Sequence, residues 1–336
     1  MTAKIGVAVS GLGIGEQHAR AFAADSRAQL LWLHDLDRGR AEKLARELPG
    51  SRVATSFEQI IGDPAVHAVS IATFDNHHFE QASAALRAGK HVFIEKPLCT
   101  SREELAQLRN LWSAGGGRLK LGSNLILRAA PLYQWLKREL AGGALGSLYA
   151  FDGEYLYGRL HKITEGWRSG IRRYSVMLGG GIHLVDLMLW ITGERPLRVN
   201  ATGNRVVSRG TSFDSDDFRT ATFEFESGLI GRIAANFGCV HRHQHVMRLY
   251  GTRATFLYDD AGARMYTVRD PGEPPRAVAA APLPQRKGDL IPPFLDAIAG
   301  VVDYSAETLS FLDGISICLA ADEAAETGRA VTIDYT

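Results

Sequence analysis

The stretch Lys4-Ile5-Gly6-Val7-Ala8-Val9-Ser10-Gly11-Leu12-Gly13-Ile14-Gly15 decides the fold. Residues 4–9 alternate too little between apolar and polar for a half-exposed strand, so they read as a strand buried on both faces of a parallel sheet. A glycine turn follows at once, and Glu16 to Ala24 reads as a helix. A glycine turn between strand and helix lets the backbone approach a pyrophosphate, whose charge is favoured by the helix N-terminus. The spacing is offset. Counted from Gly11, the third glycine of a GxGxxG pattern falls on Glu16, and Gly15 comes one residue early. A tight structural turn competes with this reading, but the position after the first strand favours the phosphate turn.

Outward from this stretch, strand and helix keep alternating. Leu30–His34, Val53–Ala54, Ala68–Ala72, His91–Ile94 and Leu119–Leu121 read as strands. Helices are expected at 38–48, stopped by Pro49-Gly50, and at 79–88, closed by Gly89. Another opens at Ser101, where Glu104 three residues on suggests a capping box. This alternation predicts a doubly wound parallel sheet over residues 1–123. From Asn124 the pattern changes. Residues 131–140 read as a helix, and longer strand-like runs follow at 148–156, 198–207, 218–225, 229–237, 246–251 and 254–258. Helices are expected at about 183–192, 289–299 and 305–327, and the proline-rich stretch 270–284 as a loop or edge hairpin. Residues 124–336 therefore predict an α+β domain with a large, open, mostly antiparallel sheet.

Composition narrows the function classes. With 336 residues, 38 basic and 37 acidic side chains and a net charge of +1, the chain carries no electrostatic footprint for nucleic acid or an anionic membrane. Its most apolar stretch, Ile182 to Ile191, contains His183 and Asp186 and reads as a buried core helix rather than a membrane span. The apolar run at the N-terminus is too short for a signal peptide. Cys99, Cys239 and Cys318 are far apart and form no CxxC pair, which predicts a reduced, cytoplasmic setting.

The residues that could carry chemistry gather at expected strand ends. Glu95-Lys96-Pro97 follows the apolar run His91–Ile94, and a lysine there is poorly explained by packing, because burying it unpaired costs free energy. A solvated strand end is the alternative. With the glycine turn, Lys96 suggests a dinucleotide enzyme that places a lysine beside a nicotinamide. Asp35, at the end of the second strand, lies where an acid can accept hydrogen bonds from the adenosine ribose hydroxyls, which favours NAD over NADP. Arg38 could meet a 2′-phosphate, Asp37 argues against one, and Asp35 as a helix cap competes. The run Thr73-Phe74-Asp75-Asn76-His77-His78 sits at another strand end and is expected to line the nicotinamide side, unless it is only a polar loop.

Gly179-Gly180-Gly181-Ile182-His183-Leu184-Val185-Asp186 is the second signal. The glycines permit close approach of a ligand, and His183 is expected in the first turn of the following helix, where the helix N-terminus would keep it neutral and able to move a proton. His183 and Asp186, spaced i and i+3, share a helical face. A satisfied core histidine is the competing reading. Upstream, Tyr155, Tyr157, Arg159, His161, Lys162, Trp167, Arg168, Arg172, Arg173 and Tyr174 form a basic and aromatic concentration suited to an anionic sugar or nucleotide-sugar, or to an oligomer contact. His241, His243 and His245 alternate as if on one strand face. Without a carboxylate or cysteine to complete a metal site, an ordinary sheet face is expected and no metal.

These residues together resemble the Gfo/Idh/MocA oxidoreductases, the family of glucose–fructose oxidoreductase and inositol dehydrogenase, over essentially the whole chain. The resemblance rests on Gly11-Leu12-Gly13, on Thr73 with His78, on Ala88-Gly89-Lys90-His91-Val92 leading into Glu95-Lys96-Pro97-Leu98, and on His183-Leu184-Val185-Asp186. It implies a Rossmann domain at 1–123 and a substrate-binding and oligomerisation domain at 124–336, whose sheet commonly forms a homodimer or homotetramer interface. It implies NAD(P)-dependent oxidation of a sugar, cyclitol or nucleotide-sugar hydroxyl, or the reverse reduction. Lys96 and His183 would be catalytic. Gly11, Leu12, Gly13, Ile14, Asp35, Arg38, Thr73, His78, Glu95 and Lys96 would bind the cofactor. Lys96, Arg128, Tyr157, Trp167, Arg168, Arg172, His183 and Asp186 would bind substrate. Two departures stand out. The glycine turn is one residue shorter than usual, with His18 in the later histidine position. Many members also carry an aspartate four residues before the catalytic histidine, where this chain has Gly179, so that Asp186, Tyr157 or Tyr174 would have to replace it. A non-catalytic NAD-binding regulator and an NAD-dependent glycosidase are the alternative functions.

Overall fold

The computed structural model describes residues 4–336, which divide into two compact units. The first comprises residues 4–126, the segment Pro284–Leu312 and the terminal Thr336; the second comprises Leu127–Leu283 and Asp313–Tyr335. The first unit is thus discontinuous: where the sequence reading draws a single boundary at 123/124, residues 284–312 return to it.

The first unit is built on six parallel strands, β1 (Ile5–Ser10), β2 (Ala28–His34), β3 (Arg52–Val53), β4 (Ala68–Ile71), β5 (His91–Ile94) and β6 (Leu121–Ser123), in the order β3-β2-β1-β4-β5-β6. The order reverses between β1 and β4, the switch point where open α/β sheets leave a crevice. Helices α1 (Gly15–Ala24), α2 (Arg38–Glu47), α3 (Phe57–Gly62), α4 (His78–Arg87) and α5 (Arg102–Ala114) connect the strands. The central strands are apolar along their whole length, because both faces are covered: Val7, Ala8, Val9, Val69, Val92 and Phe93 have no exposed surface. Ser101 caps α5 by accepting from Glu104 N. Glu104 returns its carboxylate to Thr100 N, one residue before the position expected of a capping box.

Lys90 and His91, part of the stretch that carries the family resemblance, prove to be framework residues. Lys90 is buried, and its ammonium donates to the carbonyls of Asp63 (2.9 Å) and Val66 (2.7 Å), tying β5 to the turn before β4. His91 accepts from Lys120 N at 2.9 Å. Burial, with the nearby Lys120 and His67, pushes its pKa down to about 4 and keeps it neutral.

The second unit holds a nine-stranded sheet with α6 (Pro131–Ala141), α7 (His161–Thr164) and α8 (Ile182–Thr192). Its strands are β7 (Leu148–Leu156), β8 (Pro196–Asn204), β9 (Phe218–Phe225), β10 (Ile230–Asn236), β11 (Gln244–Gly251), β12 (Thr255–Asp259), β13 (Gly262–Tyr266), β14 (Arg276–Ala277) and β15 (Val331–Thr332), in the order β14-β13-β12-β11-β7-β10-β9-β8-β15. All neighbours are antiparallel except β7 and β10. One face is packed, with Ile233, Ala235, Phe223, Ala221 and Phe151 buried. The other carries the ladder Arg232, Asp152 and Arg248, in which Arg232 is exposed, Arg248 half-buried and Asp152 buried between them. The last two helices, α9 (Ile291–Ile298) and α10 (Ser305–Thr327), complete the chain.

Candidate active site

In the first unit the glycine turn resolves into three different roles. Gly11 has φ +84°, and a Cβ there would sit 2.4 Å from Ala72 O, so only glycine lets this turn pass so close to the end of β4. A Cβ on Gly13 would meet nothing within 4 Å, so that position borders open space. Gly15 begins α1, and its missing Cβ would lie 3.1 Å from Ala72 and Val9, so the early glycine does the work of close helix–strand packing. Ile14 is the N-cap and no side chain caps the helix; Gln17 N donates to Ile14 O at 3.0 Å, and the N–H groups before it are the ones suited to an anion.

Asp35 closes this turn from the β2 side. Its Oδ2 accepts from Leu12 N at 2.6 Å and its Oδ1 from Asp37 N at 2.8 Å. Asp37, rather than Asp35, is the N-cap of α2. Arg38 is exposed and paired with Glu42 at 2.8 Å. The arginine that approaches Asp35 is Arg40, 3.4 Å from Oδ2, which the sequence reading did not single out. The residues present therefore fit a dinucleotide with free ribose hydroxyls, by the open space at Gly13, the uncapped helix and the acid at β2.

Lys96 follows β5 at the same carboxyl edge of the sheet and is half-buried. Its neighbours are firmly held. Glu95 turns its carboxylate inward, accepting from Asn124 Nδ2 at 2.7 Å with His18 Nε2 at 3.4 Å. Burial pushes the Glu95 carboxyl up, but its contacts with His18 and Asn124 and the charge of Lys96 outweigh this and hold it down at about 2. On the other side, His78 Nδ1 donates to Pro97 O at 2.6 Å, with Nε2 3.2 Å from Thr73 O. His78 has no exposed surface, and these contacts tie two strand-end loops together. Thr73 donates its hydroxyl to Gln81 at 2.8 Å.

The second unit corrects more. Gly179, Gly180 and Gly181 do not open a loop before a helix. Met177–Gly181 is a π-helical turn that runs straight into α8, with Gly181 at φ −53°, ψ −30°. His183 therefore lies inside a continuous helix, and the argument from a free helix N-terminus falls. The glycines admit the protein's own side chains rather than a ligand. A Cβ on Gly179 would sit 2.0 Å from the Tyr174 hydroxyl, and one on Gly180 2.3 Å from the Tyr155 ring.

His183 is 9% exposed, stacked over Tyr155 at 6.2 Å between centroids and edge-on to His245 at 5.7 Å. Tyr155 in turn stacks on Tyr157 at 5.7 Å and 15°. Burial, and then the charge of His243, pushes the His245 pKa down to about 3, so a neutral imidazole faces His183. Asp186 turns to Arg128. It is 1% exposed and locked to Arg128, whose Nε lies 3.0 Å from both carboxylate oxygens and whose Nη2 lies 2.5 Å from Oδ1. Arg128 and Asp186 thus form a largely buried ion pair that joins Arg128 to α8. Arg168 stacks on Trp167 at 4.3 Å and donates from Nε to the Tyr174 hydroxyl at 3.1 Å; Arg172 is exposed. The histidine alternation does not form one strand face. Only His245 lies in β11, while His241 is bonded to Asp260 at 2.9 Å. Among the described residues no group of three His, Cys, Asp or Glu side chains could hold a metal ion.

Comparison with known proteins matches both units. Residues 5–123 match the model of the oxidoreductase family with an NAD-binding Rossmann fold, and residues 133–257 match the GFO/IDH/MocA C-terminal domain. The chain is 32% identical over 232 residues to inositol 2-dehydrogenase 2 of Saccharopolyspora erythraea, covering 68% of this chain and 65% of that protein. It is 31% identical over 229 residues to the UDP-N-acetylglucosamine 3-dehydrogenase of Acidithiobacillus ferrooxidans, covering 68% and 66%. The chain spans less than two thirds of the length of the first curated relatives it matches. The solved structure of the Acidithiobacillus enzyme superposes with a TM-score of 0.79 at 26% identity over 97% of this chain and 99% of that one. The fold is shared with myo-inositol 2-dehydrogenase from Lactobacillus plantarum at a TM-score of 0.81 and 18% identity, over 98% and 100%. With the glycine turn, the Glu95-Lys96-Pro97 strand end and the His183 helix in their two units, the chain belongs to the Gfo/Idh/MocA family of oxidoreductases.

Proposed function

We infer that the protein is an NAD-dependent oxidoreductase that moves hydride between the nicotinamide and a ring carbon of a sugar, cyclitol or nucleotide-sugar. The observation that carries this reading is the edge of the first sheet, where an open glycine turn, the acid Asp35 and Lys96 all follow the carboxyl ends of parallel strands. The cofactor, when bound, supplies the hydride acceptor or donor. The N–H groups at the start of α1 hold the pyrophosphate, and Asp35 accepts from the ribose hydroxyls. Asp35 and Asp37 repel a 2′-phosphate, which favours NAD; with Arg38 on Glu42, NADP is the lesser alternative. Lys96 donates a hydrogen bond to the reacting oxygen and stabilises the charge that builds there. In the second unit His183 is the proposed acid/base, with Tyr157, Trp167 and Arg168 toward the substrate.

The names of the relatives support a polyol or nucleotide-sugar substrate. Association of two or four copies is proposed through the half-exposed face of the nine-stranded sheet, where Ile230 is 52% exposed beside Arg232 and Asp152. No helix among the described residues is long and apolar enough to cross a membrane, and the three cysteines are free thiols, which supports a reducing, cytoplasmic setting.

A turnover screen of polyols, sugars and nucleotide-sugars with NAD+ and NADH tests the reading. Lys96→Ala is expected to lower kcat by roughly 10²–10⁴-fold while NAD affinity is retained. Full activity in that variant removes the role assigned to Lys96. Tight NAD binding without turnover of any substrate in the wild type favours a regulatory protein instead.

A further inference from the structure

A buried polar cluster lies behind Lys96 and joins four separate pieces of the first unit. His18 on α1, Ser70 on β4 and Asn124 after β6 have at most 1% of their surface exposed, and the Glu95 side chain is 15% exposed. Asn124 is pinned by its own N–H to Ile94 O at 2.8 Å. Its side-chain nitrogen lies 2.7 Å from Glu95 Oε1 and 3.0 Å from His18 Nε2. The opposite amide orientation would set an oxygen against the carboxylate, so the Nδ2 group donates one hydrogen to each neighbour. His18 Nε2 is then the acceptor, and Nδ1 donates to Ser70 Oγ at 2.9 Å. The imidazole is also fixed by packing, edge-on to Phe93 at 5.3 Å.

We propose that His18 is a positioning residue for Lys96: by accepting from Asn124 it orients the amide that donates to the Glu95 carboxylate, so that the lysine springs from a backbone held at Glu95 by this cluster and at Pro97 by His78. The inference rests on the reading of Lys96 as the group beside the reacting oxygen. A largely buried carboxylate without partners would shed its charge by taking a proton; here the Asn124 amide donor and the nearby ammonium of Lys96 keep it an anion. The cluster fixes both the direction of the lysine and the sign of the field it feels. A small displacement at such a site is costly for catalysis even when binding is intact.

The test is carbon-13 NMR of the full-length protein after reductive 13C-methylation, with the Lys96 signal assigned by its loss in Lys96→Arg. His18→Leu removes the anchor. Glu95→Gln keeps shape and acceptor while removing the charge, and serves if His18→Leu does not fold. The Lys96 dimethylamine resonance is expected to move in both variants while the Lys90 signal stays, and the NAD+ dissociation constant by calorimetry is expected to remain within about twofold. With myo-inositol as the probe substrate, kcat is expected to fall by about tenfold or more with KM little changed. A Lys96 resonance unchanged in Glu95→Gln overturns the proposal whether or not myo-inositol is turned over. Loss of the assigned role through a fully active Lys96→Ala is a separate result, and it leaves the NMR outcome standing.

Discussion

The molecule has two glycine-rich segments of similar composition, Gly11–Gly15 in the first unit and Gly179–Gly181 in the second, and they serve opposite ends. At Gly13 the space a side chain would take is open, and the helix that follows is uncapped. At Gly179 and Gly180 that space is filled by Tyr174 and Tyr155, and the chain is already helical. Glycine marks a place where something approaches the backbone closely. The comparison teaches that this space is left open at Gly13 and taken by the protein's own aromatic rings at Gly179 and Gly180, and that the missing-Cβ space distinguishes the two.

The contrast can be broken by substitution. Gly13→Leu puts a branched side chain where the pyrophosphate must come close. NAD affinity is expected to drop roughly a hundredfold, about 2.7 kcal/mol, with Tm unchanged; calorimetry and a melting curve on the same preparation check it. Gly180→Ala is expected to act the other way round. Its methyl would meet the Tyr155 ring at 2.3 Å, so stability should fall by about 1–3 kcal/mol while NAD affinity is kept. Denaturant melts read the loss. If Gly180→Ala weakens NAD binding as much as Gly13→Leu does, the two segments are not different in kind.

A smaller effect sharpens the comparison through the buried carboxylates of the two units. The Glu95 carboxyl is held down at about 2, so the stability it contributes is present above its unfolded value and is lost as pH falls through about 2. In the second unit, burial raises the Asp322 carboxyl to about 6, against the opposing charge and hydrogen bond of Arg219 and a hydrogen bond from Ser175. Its contribution is fully present below its unfolded value and is lost as pH rises through about 6. Hydrogen exchange between pH 7.5 and 5 is expected to show α10 and β9 becoming better protected while β5 and β6 hold steady. Equal change in both sets would contradict the assignment.

The first unit was legible because its signals are local. Strand, glycine turn and helix follow one another within 20 residues, and apolar runs such as Val92–Ile94 declare burial directly. The six-residue helix α3 escaped, although Ser56 accepting from Gln59 N and Gln59 reaching back to Thr55 N is a capping signal visible in the sequence. Six strands of the second unit, β7 to β12, were also legible; β13 and β15 escaped, β14 falls in the stretch expected as a loop or edge hairpin, and the environment of the glycines was not legible. Gly180 needs its missing Cβ because of Tyr155, which lies on β7 in a different part of the chain. The pairing of Asp186 with Arg128 spans 58 residues, and His18 and Asn124 are 106 apart. Such side-chain pairings depend on the assembled sheets, and no periodicity announces them.

The most direct measurement is a calorimetric titration of the purified protein with NAD+, NADH, NADP+ and NADPH, after a check for copurified cofactor and with Asp35→Asn alongside. The account predicts saturable binding of NAD+ and NADH, NADP forms weaker by about tenfold or more, and a loss of that preference in Asp35→Asn. Binding of none of the four would contradict the account and leave only the fold.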